Sequence, residues 1–289
     1  MKNTTFGSAW MHRQLVNSLR VMDVRALYLF VSLFIMPVCL LINTNHSRTM
    51  AYRYFRKRLG YSRLHAAWST YANHCLFGTV VIDRFAMFAG KNFDIKIDGY
   101  ENYLKLSEQK EGFVILSSHI GCYEVAGYSL VAKTKRFNAL VFGGEKATVM
   151  EGRQERLGKN NIRMIPVKSD MSHLFFVNEA LGNHEIVSMP ADRIFGASKT
   201  LEVDFLGRKA HLPQGPFSVA TMRKLNVIAV NVMRTSALGY TVYVTPISYA
   251  KEATRKVQMQ QLADGYAAEL ELRVRQYPLQ WYNFFDFWS

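Results

Sequence analysis

Cysteine is scarce in this chain and spaced wrongly for cross-linking. Cys39, Cys75 and Cys122 are the only three in 289 residues. No pair sits at C-x-x-C spacing, and an odd number cannot all pair within one chain. A disulfide framework is therefore not expected, which fits a reducing compartment. The eight histidines show no H-x-x-x-H or similar ligand spacing, so neither a metal nor a cofactor is expected. No G-x-S-x-G elbow is present, which counts against a serine hydrolase. There is no helix-turn-helix, zinc or RNP text, so nucleic acid is not expected as a partner even though the charge permits it. Acidic residues are in deficit: 22 Asp and Glu stand against 36 Lys and Arg, a net charge of +14. That surplus points to an anionic partner and says nothing about fold. With 49% hydrophobic and 13% aromatic residues, the composition argues against disorder.

What is present starts with an uncharged apolar run at residues 26–42, "ALYLFVSLFIMPVCLLI". A full membrane crossing takes about 20 apolar residues, roughly 17–25. The run lies at the short edge of that range, and Pro37 interrupts it. A cleaved signal peptide fits poorly, because no small-x-small cleavage site follows. Both flanks are basic: Lys2, Arg13, Arg20 and Arg25 on one side, Arg48, Arg53, Arg56, Lys57, Arg58 and Arg63 on the other. A spanning helix is usually asymmetric in basic residues. The reading that satisfies both flanks is a short or re-entrant helix dipping into one leaflet, its basic residues on anionic headgroups. A buried core helix and a single true span are the alternatives; a span would put residues 43 onward in the cytoplasm. A helix over 62–90 follows. Leu64, Trp68, Tyr71 and Cys75 share one face of it, a stripe that reads as core, and Gly90 is its stop.

From about residue 93 strands alternate with helices: "FDIKIDG", a short helix, "GFVILSS", a helix from about 121, "NALVFGG", a polar helix over 146–157, and "IRMIPV". A helix over 170–182 comes next, with Met171, Leu174, Phe175 and Leu181 as its buried positions. "EIVSMP", "TLEVDFLG", a helix over 216–224, "NVIAVNVMR" and "YTVYVTPIS" complete the series, the last two as antiparallel neighbours. The pattern predicts an α/β fold with a mixed, mostly parallel sheet flanked by helices, after an N-terminal membrane-associated helical region. The expected division is 1–90, helical and membrane-anchoring, and 91–289, α/β. Near the end, Leu262, Tyr266, Leu270 and Val274 mark a helix face. Trp281, Phe284, Phe285 and Trp288 mark another, either covering the core or anchoring at a membrane interface.

The chemistry concentrates in "GFVILSSHIGCYEVAGY". Residues five apart on one α-helix differ by about 140° around its axis, so His119 and Glu124 cannot meet on a regular helix. If the strand ends near Ser118, His119 lies on a loop and Glu124 in the first turns of the following helix, with Gly121 allowing the bend. A carboxylate on one imidazole nitrogen fixes the tautomer and leaves the other nitrogen as a base. Cys122 competes as a nucleophile paired with His119, or is a small packed hydrophobe.

These residues resemble the H-x-x-x-x-(D/E) block of the lysophospholipid acyltransferase superfamily, and within it the bacterial lipid A late acyltransferases and their aryl-polyene-linked relatives. "MPADRIFGASKTLEVDFLGRKAHLPQGPFSVATMRKLNVIAVNVMR" is similar to that family's second region, and "QWYNFFDFW" to its aromatic ending. The resemblance implies a glycerolipid acyltransferase-like fold. It also implies that His119 deprotonates an acceptor hydroxyl, with Glu124 as its partner and no acyl-enzyme. Asp192, Arg193, Gly196 and Gly215 match a phosphate-holding block; Arg234, Lys146 and Arg153 are further phosphate candidates. The implied partners are acyl carrier protein or acyl-CoA as donor, a lipid acceptor of lipid A type, and an anionic membrane surface. The implied location is the cytoplasmic side of the inner membrane. Acylation of another lipid, or thioester hydrolysis at the same site, are the alternatives. The segment "GGEKATVMEGRQERLG" departs from the arginine–asparagine-rich text of the lipid A enzymes and leaves the acceptor open.

Overall fold

The computed structural model describes residues 9–42, 46–130, 135–142, 161–168, 170–194 and 199–288. Helix α1 (Ala9–Val21) leads into a continuous apolar helix built of α2 (Val24–Phe30), a π-turn segment (Val31–Ile35) and α3 (Met36–Ile42). The π segment ends two residues before Pro37, which lacks an N–H and crowds the preceding turn of a regular helix. The run Val24–Ile42 is the one described helix long and apolar enough to cross a membrane, and almost none of it is buried. Leu29, Phe30, Leu33, Phe34, Val38, Leu41 and Ile42 are exposed, so it is not a core helix.

After α4 (Ser47–Lys57), α5 (Arg63–Phe88) runs against the apolar helix. Gly78 allows that approach, since a Cβ there would press on Met36 and Val31. The Tyr71 hydroxyl donates to the Ser32 carbonyl at 2.6 Å. The α5 stripe is therefore not core: Leu64 and Trp68, 85% and 67% exposed, lie on the face that Tyr71 and Cys75 share.

The α/β part holds β1 (Asp94–Asp98), α6 (Tyr100–Glu108), β2 (Phe113–Gly121), α7 (Glu124–Ser129), β3 (Phe137–Phe142) and β4 (Ile162–Val167). It continues through α8 (His173–Gly182), β5 (Ile186–Pro190), the hairpin β6 (Thr200–Phe205) and β7 (Arg208–Pro213), and α9 (Gln214–Met222). Strands β8 (Asn226–Ser236) and β9 (Gly239–Ile247), helix α10 (Arg255–Gln276) and a 3-10 turn at Pro278–Gln280 complete it. The main sheet has seven strands in the order β1-β9-β8-β2-β5-β3-β4. Every pairing in it is parallel except β8 with β9. The mixed, mostly parallel sheet flanked by helices is the fold class the alternation predicts.

Successive residues of β2 point to opposite faces. Val114 and Leu116 join a core with α8, α9, α10 and the C-terminal aromatics; Phe113 and Ile115 join one with Tyr103, Val125 and Val230. Leu262, Tyr266, Leu270 and Val274 are buried as expected. Two expectations fail. In α8 the buried positions are His173, Val177, Ala180 and Leu181, while Met171, Leu174 and Phe175 are exposed. Residues 281–288 are not helical: Trp281 makes an isolated bridge to Ile120, and its ring packs on Tyr54, Phe205 and Phe287. Contacts with distant residues override the local helical period there. The expected helix over 146–157 lies outside the described residues.

Candidate active site

His119 sits on the last part of β2, not on a loop after it. Ser117 pairs with Val230, but the next paired residue, Gly121, matches Val232. Four residue steps on β2 thus oppose two on β8, and Ser118–Ile120 bulge from the ladder. Bulges re-aim side chains next to functional sites. Several contacts fix this one. Gly121 has φ 58° and no room for a Cβ against the Val232 carbonyl. The Cys122 N–H donates to Val232 O at 2.9 Å. The Ser118 hydroxyl donates to Asn231 Oδ1 at 2.7 Å, and the Tyr266 hydroxyl donates to Ser117 O at 2.9 Å.

Asp192 meets the bulge from the loop after β5. One carboxylate oxygen accepts the His119 backbone N–H at 2.8 Å, and the other lies 2.8 Å from Nδ1. This two-point grip sets the ring's position and puts its proton on Nδ1, leaving Nε2 as the basic nitrogen. Asp192 is buried, with a side chain 3% exposed. Burial by itself would raise its carboxyl. The charge and hydrogen bonds of His119 and the charge of Arg193 outweigh that and hold it below the usual carboxylate range.

The carboxylate on Nδ1 is therefore Asp192. Glu124, which the five-residue spacing assigns to that position, opens α7 and places Oε2 3.1 Å from Arg84 Nε on α5. The spacing could not show this, because Asp192 is remote in sequence and reaches the imidazole only through the β2–β5 pairing.

Two cavities meet here, sharing His119, Tyr123 and Glu124. The first is narrow, about 100 Å³, and runs along the sheet face beneath α7. Its wall is mostly apolar, with Ile115 from β2, Ala139 and Val141 from β3, Ile162 and Met164 from β4 and Val230 from β8 among the contributors. The second is wider, about 280 Å³, and lies between α5 and the C-terminal segment. Phe77, Val81, Tyr282 and Phe284 line it with two guanidinium groups, Arg84 and Arg193. Arg193 donates from Nη2 to the Tyr282 carbonyl at 3.1 Å and lies 5.5 Å from the Phe285 ring. Its Nε is buried without a described partner.

The remaining candidates are placed elsewhere. Arg234 is buried and pairs with Asp83 at 3.3 Å, under a network in which the Tyr28 and Tyr240 hydroxyls donate to Asp83. That network ties the apolar helix to the sheet and leaves Arg234 away from both cavities. Gly215 lies in the first turn of α9 and lines neither cavity. Gly196, Lys146 and Arg153 lie outside the described residues. Cys122 is 2% exposed, and its thiol is pushed well above the ordinary value by burial and by the negative charges of Glu124 and Asp83. A nucleophilic cysteine needs the opposite shift. Sequence reading missed Asp83 and Arg84. An adjacent charged pair inside the apolar text "TVVIDRFAMF" is the signal that could have found them. Among the described residues no cluster of His, Cys, Asp and Glu could hold a metal ion.

The family model described as bacterial lipid A biosynthesis acyltransferase matches residues 80–289. Among solved structures, the chain is similar to the 1-acyl-sn-glycerophosphate acyltransferase PlsC from Thermotoga maritima. The identity is 13% and the TM-score 0.37, over 83% of this chain and 97% of that one. No curated protein matches.

Proposed function

The chain belongs to the bacterial lipid A biosynthesis acyltransferase family, and on that premise we propose how its site transfers an acyl group to a lipid. The acyl donor is a thioester of acyl carrier protein or coenzyme A, and the acceptor is a lipid hydroxyl, with a lipid A-type glycolipid as the first candidate. The observation that carries this reading is the position of His119 where an apolar cavity meets an arginine-bearing one. The apolar cavity suits the acyl chain. The wider one suits the polar part of the acceptor, and guanidinium groups suit phosphate through paired donors.

Nε2 of His119 removes the acceptor hydroxyl proton as the oxygen attacks the thioester carbonyl carbon. The tetrahedral intermediate collapses, the carbon–sulfur bond breaks, and the leaving thiolate takes the proton back from the imidazolium. Asp192 holds the ring and stabilises its cationic form. Glu124, on the shared wall, holds Arg84 in the wider cavity. No acyl-enzyme forms, and Cys122 serves as packing.

Residues 1–90 anchor the enzyme. The exposed apolar face of Val24–Ile42 enters one leaflet of the inner membrane, and the basic residues of α4 meet anionic headgroups on the cytoplasmic side. The test is purified enzyme with an acyl thioester, with and without lipid acceptor, followed by mass spectrometry. Acceptor-dependent formation of acylated lipid supports the reading. Release of free fatty acid at the same rate without acceptor identifies a thioesterase and overturns it. Lipids compared between strains with and without the gene identify the acceptor.

A further inference from the structure

A small basic pocket lies on the other side of the C-terminal segment from His119. Met50, Arg53, Tyr54 and Lys57 recur at i, i+3, i+4 and i+7, so one face of α4 forms its floor. Arg58, the next residue, adds a third cation, with its guanidinium 4.0 Å over the Trp288 ring. The facing wall is the C-terminal segment, including Asn283 and Asp286. We infer that this pocket binds the phosphate group of a phosphate ester.

Four observations support it. Three cations face one carboxylate, so the pocket is left with positive charge. Asn283 lines the pocket and is 6% exposed, so it sets a neutral amide beside Asp286 and adds no second negative charge. The volume of about 100 Å³ holds several waters, which is room for one phosphate group. The Arg58 charge is disfavoured by burial and by Arg208, with Asp286 opposing, and a bound anion relieves it.

Placement narrows the source. Arg48, at the start of α4, donates from Nη1 to the Leu40 carbonyl at 3.0 Å, so the pocket's floor is tied to the end of the apolar helix. The pocket thus sits where that helix would emerge into lipid headgroups. It also shares a wall with the site: Tyr282 and Phe284 line the wider cavity at His119, while Asn283 and Phe285 line this pocket. An occupant braces the segment that forms the cavity wall. The inference does not depend on whether His119 is the base.

The test uses the full chain in a non-ionic detergent and reads tryptophan fluorescence, since Trp288 lies under Arg58. The probes are inorganic phosphate and dihexanoylphosphatidate, and the variants are the exposed pair Arg53→Gln with Lys57→Gln and, separately, Trp288→Phe. A saturable change is expected that is lost in Trp288→Phe and weakened at least tenfold in the double variant. Saturation by dihexanoylphosphatidate alone assigns a lipid headgroup. Saturation by both probes at equal affinity assigns free phosphate. No saturable response to either, a response that persists in Trp288→Phe, or unchanged affinity in a double variant with the parent's melting temperature overturns the inference.

Discussion

The two cavities at His119 are built from different materials. One is walled by parallel strands, whose backbone groups are used up in the sheet and whose side chains toward it are mostly apolar. The other is walled by helix α5 and an irregular aromatic segment, and brings two guanidinium groups beside Tyr282. A sheet face offers little that a polar ligand could use, whereas the second wall offers donors and charge. Under the proposed function, the difference suits the methylene chain to the first cavity and the polar acceptor to the second, with the imidazole between.

The largest expected effect removes what the cavities share. His119→Ala should lower acyl transfer about 10³-fold, within the usual range for a general base. Binding of the acyl thioester should change no more than about twofold, because the apolar residues that line the sheet-side cavity are unaltered. Transfer at the parent rate would show that the shared imidazole is not the base.

Asp192→Asn comes next, with a loss of about 10²-fold through the wrong tautomer. Glu124→Gln should lose no more than about tenfold, because its ion pair is with Arg84 and not with Nδ1. An inverted order would return the orienting role to Glu124. The Asp192 carboxyl is depressed in the folded protein. Its stabilising contribution is thus present above the unfolded value near 3.9 and is lost as pH falls through the lower folded value. The parent's melting temperature should fall more steeply below about pH 4 than that of Asp192→Asn.

The walls should then separate in steady-state kinetics. Ala139→Phe fills the sheet-side cavity and should move donor preference to shorter acyl chains, leaving the acceptor KM within about twofold. Arg84→Gln should raise the acceptor KM about tenfold and leave chain-length preference alone. Both variants changing the same parameter would dissolve the division between cavities. The smallest effect belongs to Cys122→Ala, which should retain activity within about threefold. The parent thiol should resist maleimide at pH 8, being buried with a raised pKa.

The α/β alternation, the antiparallel β8–β9 pair, the buried face of α10 and the apolar run at 26–42 were legible because each is a local periodicity or a continuous composition. His119 was legible because it closes a buried strand just before a glycine. Its carboxylate partner was misread. Spacing pointed five residues ahead to Glu124, but a two-residue bulge turns His119 toward the loop after β5. The final aromatics keep helical spacing and yet form no helix, since their rings are held by Tyr54 and Phe205. In α8 and at the start of α5, periodicity found a face but not whether anything covers it.

Sequence alone determined that the chain is basic, carries an apolar run at 26–42, folds as an α/β sheet and offers a histidine near a strand end. Those follow from composition and from periods of 2 and 3.6, which act over a few residues. Tertiary structure decided that Asp192 grips His119, that Glu124 turns to Arg84, that Arg234 is consumed by Asp83, and that Cys122 is sealed. Each of those choices depends on which distant strand or helix lies alongside, and burial sets its strength.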